Sequence, residues 1–185
     1  SEYGADVLRG YLMFGFNYVE GGPWTDEGIK SINKFYQKVE RLVSEITEST
    51  EEISEIEKVL HKTIKAVRND IDKFQFNTCI SRIMEYTNAL NKYAPTGIPR
   101  KYIESLILLL APFAPHITEE LWSQIGNEYS VHNQEYPTFD EEKASDKEIT
   151  IGVQVNGKLR GTITIEKDAT EETIKEKATN EENVK

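Results

Sequence analysis

The chain has 185 residues, with 22 Lys and Arg against 32 Asp and Glu and a net charge of −10, which excludes a uniformly basic nucleic-acid coat. Apolar residues at 38% and charged residues at 29% are enough to build a core and exclude a disordered tail. The length fits one large domain, or one with a small appendage.

The chain opens Ser1-Glu2-Tyr3, without an initiator Met or a basic-then-apolar leader, and so reads as processed or excised from a longer protein. A short helix is expected around Ala5 to Phe14. After Gly21-Gly22-Pro23, Thr25 can cap a helix in which Ile29, Ile32, Phe35, Val39, Leu42, Val43 and Ile46 recur at three- and four-residue steps. Ser49-x-x-Glu52 reads as a capping box for a second long helix, with Ile53, Ile56, Val59, Leu60, Ile64, Val67 and Ile71 on one face. Asn77 can cap a third, whose wide apolar arc (Ile80, Ile83, Met84, Leu90, with Cys79, Tyr86 and Tyr93) implies burial on more than one side. Pro99 opens the next helix, Pro112 and Pro115 end it, and a short helix from about His116 to Ile125 stops before Gly126. The longest apolar run, Leu106 to Leu110, is too short to span a bilayer. Residues 1–126 therefore read as a helical bundle.

Half of the excess negative charge falls in residues 127–148, which hold Pro137 and the run Asp140-Glu141-Glu142 and follow no helical or strand period. Residues 127–147 are expected to be an acidic linker. Beyond them the period becomes two: Ile149, Ile151, Val153 and Val155, then Asn156-Gly157, then Leu159, Ile163 and Ile165. A two-residue turn pairs Val155 with Lys158 and sets apolar residues against charges. The expected register is instead a three-residue loop with Gly157 left-handed, Val153 opposite Leu159 and Ile149 opposite Ile163. A helix starts near Thr170, with Asp168-x-x-Glu171 as cap chemistry. One hairpin and one helix are marginal alone, so residues 148–185 read as a small, incomplete α+β module with further strands beyond Lys185. The fold class is mainly α.

Catalytic signatures are missing from the sequence. Gly21-Gly22 lacks a following Gly-Lys-Ser/Thr, no Gly-x-Gly-x-x-Gly occurs, and His61, His116, His132 and Cys79 have no metal-ligand spacing. The lone Cys79 rules out an intramolecular disulfide and points to a reducing, cytoplasmic compartment. Three basic patches are the stronger signals. Lys30, Lys34, Lys38 and Arg41 fall within about 80° of one another on a helix, opposite its apolar arc. They are a ridge for phosphates, or else a solvated face interrupted by Glu27 and Glu45. Lys58, Lys62 and Lys65 form a second arc that Glu51 and Glu55 can neutralise. Lys158 and Arg160, beside Gln154, leave the polar face of the hairpin and serve either phosphate contact or protection of an edge strand.

Several segments together resemble the C-terminal part of bacterial-type leucyl-tRNA synthetases. They are Tyr3 to Arg9 with Met13-Phe14, Trp24 to Leu42, His61 to Ile64 with Asp70-Ile71 and Phe76-Asn77-Thr78, Leu110 to Ile117 with Glu119 to Trp122, and Val153 to Arg160 with Asp168-Ala169-Thr170. The segment at Leu110 to Trp122 is also similar to isoleucine and valine synthetases. The hairpin segment is the most leucine-specific.

The resemblance implies a helical domain of the anticodon-binding type followed by the start of a C-terminal domain. It implies binding of tRNA(Leu), with ATP- and magnesium-dependent catalysis in an upstream domain of the same chain and none in residues 1–185. No cofactor is expected in this region, nor a membrane partner, and a monomer is expected. Carried over by position, Lys34 and Lys38 stand where the family often has Arg, Arg41 continues the ridge, and Glu40 stands where several members carry Trp. Lys158 and Arg160 match the hairpin pattern. The candidate tRNA-binding residues are Lys34, Lys38, Arg41, Lys62, Lys158 and Arg160. The competing readings are the same region of an isoleucyl- or valyl-tRNA synthetase and a helical protein-interaction module that binds no RNA.

Overall fold

The computed structural model describes residues 2–17, 20–145, 148–155, 158–166 and 169–180. The chain divides into two compact units, Ser1–Ala144 and Ser145–Lys185.

The first unit is a helical bundle: α1 (Ala5–Phe14), α2 (Asp26–Val43), α3 (Ser54–Ile71), α4 (Phe76–Asn91), α5 (Arg100–Leu110), α6 (Pro115–Gln124) and the short α7 (Glu141–Ala144). The stripes read from the sequence are the faces that meet. Ile32, Val39 and Leu42 of α2, Ile56 and Val67 of α3, and Ile83, Tyr86 and Leu90 of α4 are fully buried. At about 25 cal/mol per Å², this common core is the main favourable term for the unit. Helix α2 starts as its sequence implies, with the Thr25 hydroxyl accepting from the Gly28 amide at 3.3 Å. Tyr11 of α1 reinforces the start by accepting from the Thr25 amide at 2.7 Å.

Two other caps differ from expectation. Helix α3 begins at Ser54, and no side chain caps it. The Ser49 hydroxyl accepts from Glu51 within a local turn, and the Ile53 amide is satisfied from outside by the Tyr102 hydroxyl at 2.9 Å. Helix α4 begins at Phe76, so Asn77 lies inside it. A feature with no period to announce it links the two interhelical loops: β1 (Ile46–Thr47) pairs in parallel with β2 (Ile98–Pro99). Gly97 makes this approach possible, since its φ is +87° and a Cβ there would lie 2.1 Å from Thr47 Cγ2.

The stretch expected to be a linker lies on the bundle as far as Ala144. Its carbonyls and amides are taken up by bundle side chains. The Trp122 indole donates to the Glu128 carbonyl at 3.0 Å, Arg68 to the Pro137 carbonyl at 3.0 Å, and the Val131 amide to Glu119 at 3.2 Å. The acidic residues that suggested a solvated segment are matched by cations: Glu141 pairs with Lys65. In the other direction Lys143 reaches Glu57 of α3 at 2.9 Å, and Lys101 reaches the same carboxylate at 2.8 Å. Burial alone would raise the Glu57 pKa, but hydrogen bonds from Lys101, Lys143 and Tyr102 outweigh it and hold the carboxyl at about 2.

The second unit is an antiparallel hairpin, β3 (Glu148–Val155) and β4 (Lys158–Glu166), followed by α8 (Glu171–Asn180). The expected register is not the one formed. Val155 does pair with Lys158 and Gln154 with Leu159; the pairing then shifts, so that Val153 faces Gly161, Ile151 faces Ile163 and Ile149 faces Ile165. Arg160 is the extra residue of a β-bulge. If Arg160 took a place in the ladder, the two-residue connection would set Ile151 against Thr162; with Arg160 bulged out, isoleucine faces isoleucine across the ladder. Asn156 and Gly157, including the left-handed Gly157 expected there, lie outside the described residues, as does Asp168. Thr170 supplies the start of α8, accepting from the Thr173 amide at 3.3 Å.

Candidate nucleic-acid interface

Helix α2 presents its basic ridge on the side away from its buried residues. Lys30 and Lys34 are exposed, and neither has a hydrogen-bond or ion-pair partner among the described residues. Lys38 and Arg41 are oriented by α4: Lys38 Nζ donates to Asn88 Oδ1 at 2.6 Å, and an Arg41 guanidinium nitrogen donates to Asn91 Oδ1 at 2.5 Å. Asparagine is neutral, so these bonds fix the direction of the cations without cancelling their charge. The ridge therefore combines two free ammonium groups with two cations held in place, a form suited to a run of phosphates.

The second stripe has another use. Lys65 pairs with Glu141 and lies 5.8 Å from the centre of the Phe139 ring. Lys58 and Lys62 are engaged within the protein, and Lys62 is half-buried. In the second unit Lys158 and Arg160 are both exposed. The bulge accounts for the placement of Arg160, as the unpaired residue of a strand otherwise in register.

The remaining polar groups are structural. Asp6 of α1 is only 3% exposed, and it accepts from the His116 and Ile117 amides at 2.8 and 2.7 Å. It thereby caps α6 from 110 residues away in sequence, and it also binds Arg9. His61 contacts Glu57 at 3.3 Å and accepts from the Asp140 amide at 3.0 Å. Burial pushes the Cys79 thiol up to about 12, which keeps it protonated and inert. A cleft of about 500 Å³ between α2 and α6 is lined by Glu40, His116, Ile117, Glu120, Leu121 and Gln124; its two carboxylates make it unfavourable for phosphate. Among the described residues, no three His, Cys, Asp or Glu side chains gather as metal ligands. Among the described residues, no helix is long and apolar enough to cross a membrane.

Of the predicted residues, the structure brings Lys34, Lys38 and Arg41 together on one helix face and Lys158 and Arg160 together on one hairpin. Lys62 stands apart, on the helix that carries the 127–144 segment. Sequence reasoning missed the role of Asn88 and Asn91, whose spacing of three repeats that of Lys38 and Arg41.

The chain resembles tRNA ligases along its whole length. It is 47% identical to the leucine–tRNA ligase of Clostridium tetani over 100% of this chain and 25% of the relative. The corresponding enzyme of Caldanaerobacter subterraneus is 46% identical over 100% of this chain and 24% of the relative. The chain thus spans about a quarter of the length of the curated relatives it matches. A solved Agrobacterium radiobacter LeuRS–tRNA–LeuAMS ternary complex superposes with a TM-score of 0.81 at 33% identity, over 99% of this chain and 26% of that one. The family described as "Anticodon-binding domain of tRNA ligase" matches residues 54–175, and the chain belongs to it.

Proposed function

We propose that this chain is the tRNA-gripping C-terminal region of a leucine–tRNA ligase. The α2 ridge and the β3–β4 hairpin hold phosphates of the leucine tRNA while the ligase joins leucine to it. The observation that carries the reading is the match to leucine–tRNA ligases over the full chain. The uncancelled cations of Lys34, Lys38 and Arg41 on one helix, Lys34 and Arg41 exposed and Lys38 half-buried, supply the physical means. In this reading the activation of leucine with ATP and magnesium belongs to the rest of the ligase, and no residue of this chain takes part in it. The protein works as a monomer in the cytoplasm, and its upstream catalytic domain is its intramolecular partner.

The test is a titration of labelled leucine tRNA with the chain, with an unlabelled tRNA and a protein of matched charge as competitors. Binding that unlabelled tRNA displaces and the protein does not is the expected result. Failure to bind tRNA at low salt overturns the proposal in favour of a protein-interaction module. Leucine is preferred to isoleucine or valine on the strength of the relatives' names; assaying the longer ligase with each of the three amino acids checks it.

A further inference from the structure

Among the described residues, every lysine and arginine side chain of the first unit has a partner except three: Lys30, Lys34 and Lys73. Lys30 and Lys73 stand near one end of the bundle, and Lys34 lies one turn of α2 further along. Lys38 meets Asn88 and Arg41 meets Asn91, so α2 and α4 run parallel with an offset of 50 residues. The loop before α2 is therefore level with the α3–α4 turn that holds Lys73 and Phe74.

Two large aromatic side chains are exposed at the same end, Trp24 at 55% and Phe74 at 59%. Trp24 is held in a fixed orientation. Its ring meets Tyr11 edge to face at 4.8 Å, and its indole N–H donates to Asp26 at 3.0 Å. Asp26 lies four residues before Lys30 and so on the same line of the helix as the ridge. Phe74 is the only non-glycine residue with positive φ among the described residues, at 56°, a conformation that Gly or Asn adopts more readily. Its edge rests on Phe76 at 5.7 Å. Neither aromatic is needed where it stands to fill the core. Fixed, half-bare rings beside unpaired cations are the elements of a platform on which unpaired bases stack while ammonium groups hold the flanking phosphates.

We infer that this end of the bundle is a stacking site for unpaired nucleotides of the bound RNA, with Trp24 and Phe74 as the stacking faces and Lys30, Lys34 and Lys73 at the adjoining phosphates. The inference rests on the tRNA-binding reading above and adds to it the kind of nucleotide that is contacted.

The probe is leucine tRNA with the 185-residue chain, read by acrylamide quenching of tryptophan emission. Trp122 is 7% exposed, so the accessible emission comes from Trp24. The site predicts that tRNA removes this accessible component and that a fully paired RNA duplex does not. It predicts that Trp24→Ala weakens tRNA binding about 10-fold or more, within the range measured for one stacked base, while Trp24→Phe retains most of the affinity. Phe74→Asn weakens binding several-fold; because Asn accepts the left-handed backbone, this variant keeps the test valid if Trp24→Ala fails to fold. Salt-dependent tRNA binding that leaves Trp24 accessible, with both variants at full affinity, overturns the stacking site and leaves the ridge intact. Shielding of Trp24 that rises with protein concentration in the absence of RNA also overturns it, in favour of a protein contact. Absence of tRNA binding at low salt overturns both readings.

Discussion

Glu57→Gln tests how the 127–144 segment is held on the bundle. Glu57 is 8% exposed and accepts from Lys101 and Lys143 at once. Glutamine keeps the shape and the acceptor but removes the charge. Lowering the carboxyl from its ordinary 4.5 to about 2 corresponds to about 3 kcal/mol of folding free energy. Lys101 and Lys143 are 40% and 41% exposed, and water recovers part of this, so we expect Glu57→Gln to cost about 2 kcal/mol at pH 7. The folded-state pKa is depressed, so the stabilisation is complete above about pH 4.5 and is lost as pH falls toward about 2. The gap between parent and variant should therefore shrink to less than half by pH 3. The assay is urea unfolding followed by tryptophan emission, since Trp24 and Trp122 both lie in the first unit. About 2 kcal/mol moves the urea midpoint by about 1 M for a unit of this size. Equal stability at pH 7, or a gap that is the same at pH 3 and pH 7, would refute the reasoning.

Other outcomes follow from single interactions. Asp6→Ala leaves the His116 and Ile117 amides without their acceptor and should cost about 1–3 kcal/mol in the same melts, with the first-turn amides of α6 exchanging faster than in the parent. Gly97→Ala should cost more than about 1 kcal/mol, because the residue must keep φ at +87° with its Cβ against Thr47; a neutral effect would mean that the β1–β2 pairing is dispensable. Among the described residues of the second unit, Ile163 and Ile165 alone are buried, so its amides should exchange faster than those of α3 and α4, and uniform protection would contradict this. Deleting Arg160 removes the extra residue of the bulge and leaves Ile151 opposite Ile163 in an unbroken ladder; the cross-strand NMR signals between Ile151 and Ile163 should persist, and their loss would contradict the bulge.

The parts of the fold legible in the sequence are those set by local periodicity. The stripe from Ile29 to Leu42 and the Thr25 cap lie within one helix, and each followed from spacing and cap chemistry. Asp6 capping α6 from 110 residues away, or Tyr102 replacing a cap at Ile53, depends on which helices are neighbours, and no local pattern encodes that. The 127–144 segment looked like a linker because its carboxylates form a run, and the bundle side chains that hold it, Lys65 and Glu57 among them, lie far away in sequence. In the hairpin, the conflict between apolar and polar partners was visible, but a loop and a bulge relieve it equally well on paper. The ridge was legible as an arc of cations. Its division into free Lys30 and Lys34 and oriented Lys38 and Arg41 was not, since Asn88 and Asn91 belong to another helix.

The most direct measurement is the affinity of the chain for leucine tRNA across a series of salt concentrations, for the parent and for a Lys34→Glu, Lys38→Glu double variant. The account predicts that the logarithm of the association constant falls linearly with the logarithm of salt, and that the variant binds more weakly with a slope shallower by about 2, close to one for each phosphate no longer neutralised. An affinity indifferent to salt, or a double variant with the parent's slope and strength, would contradict it.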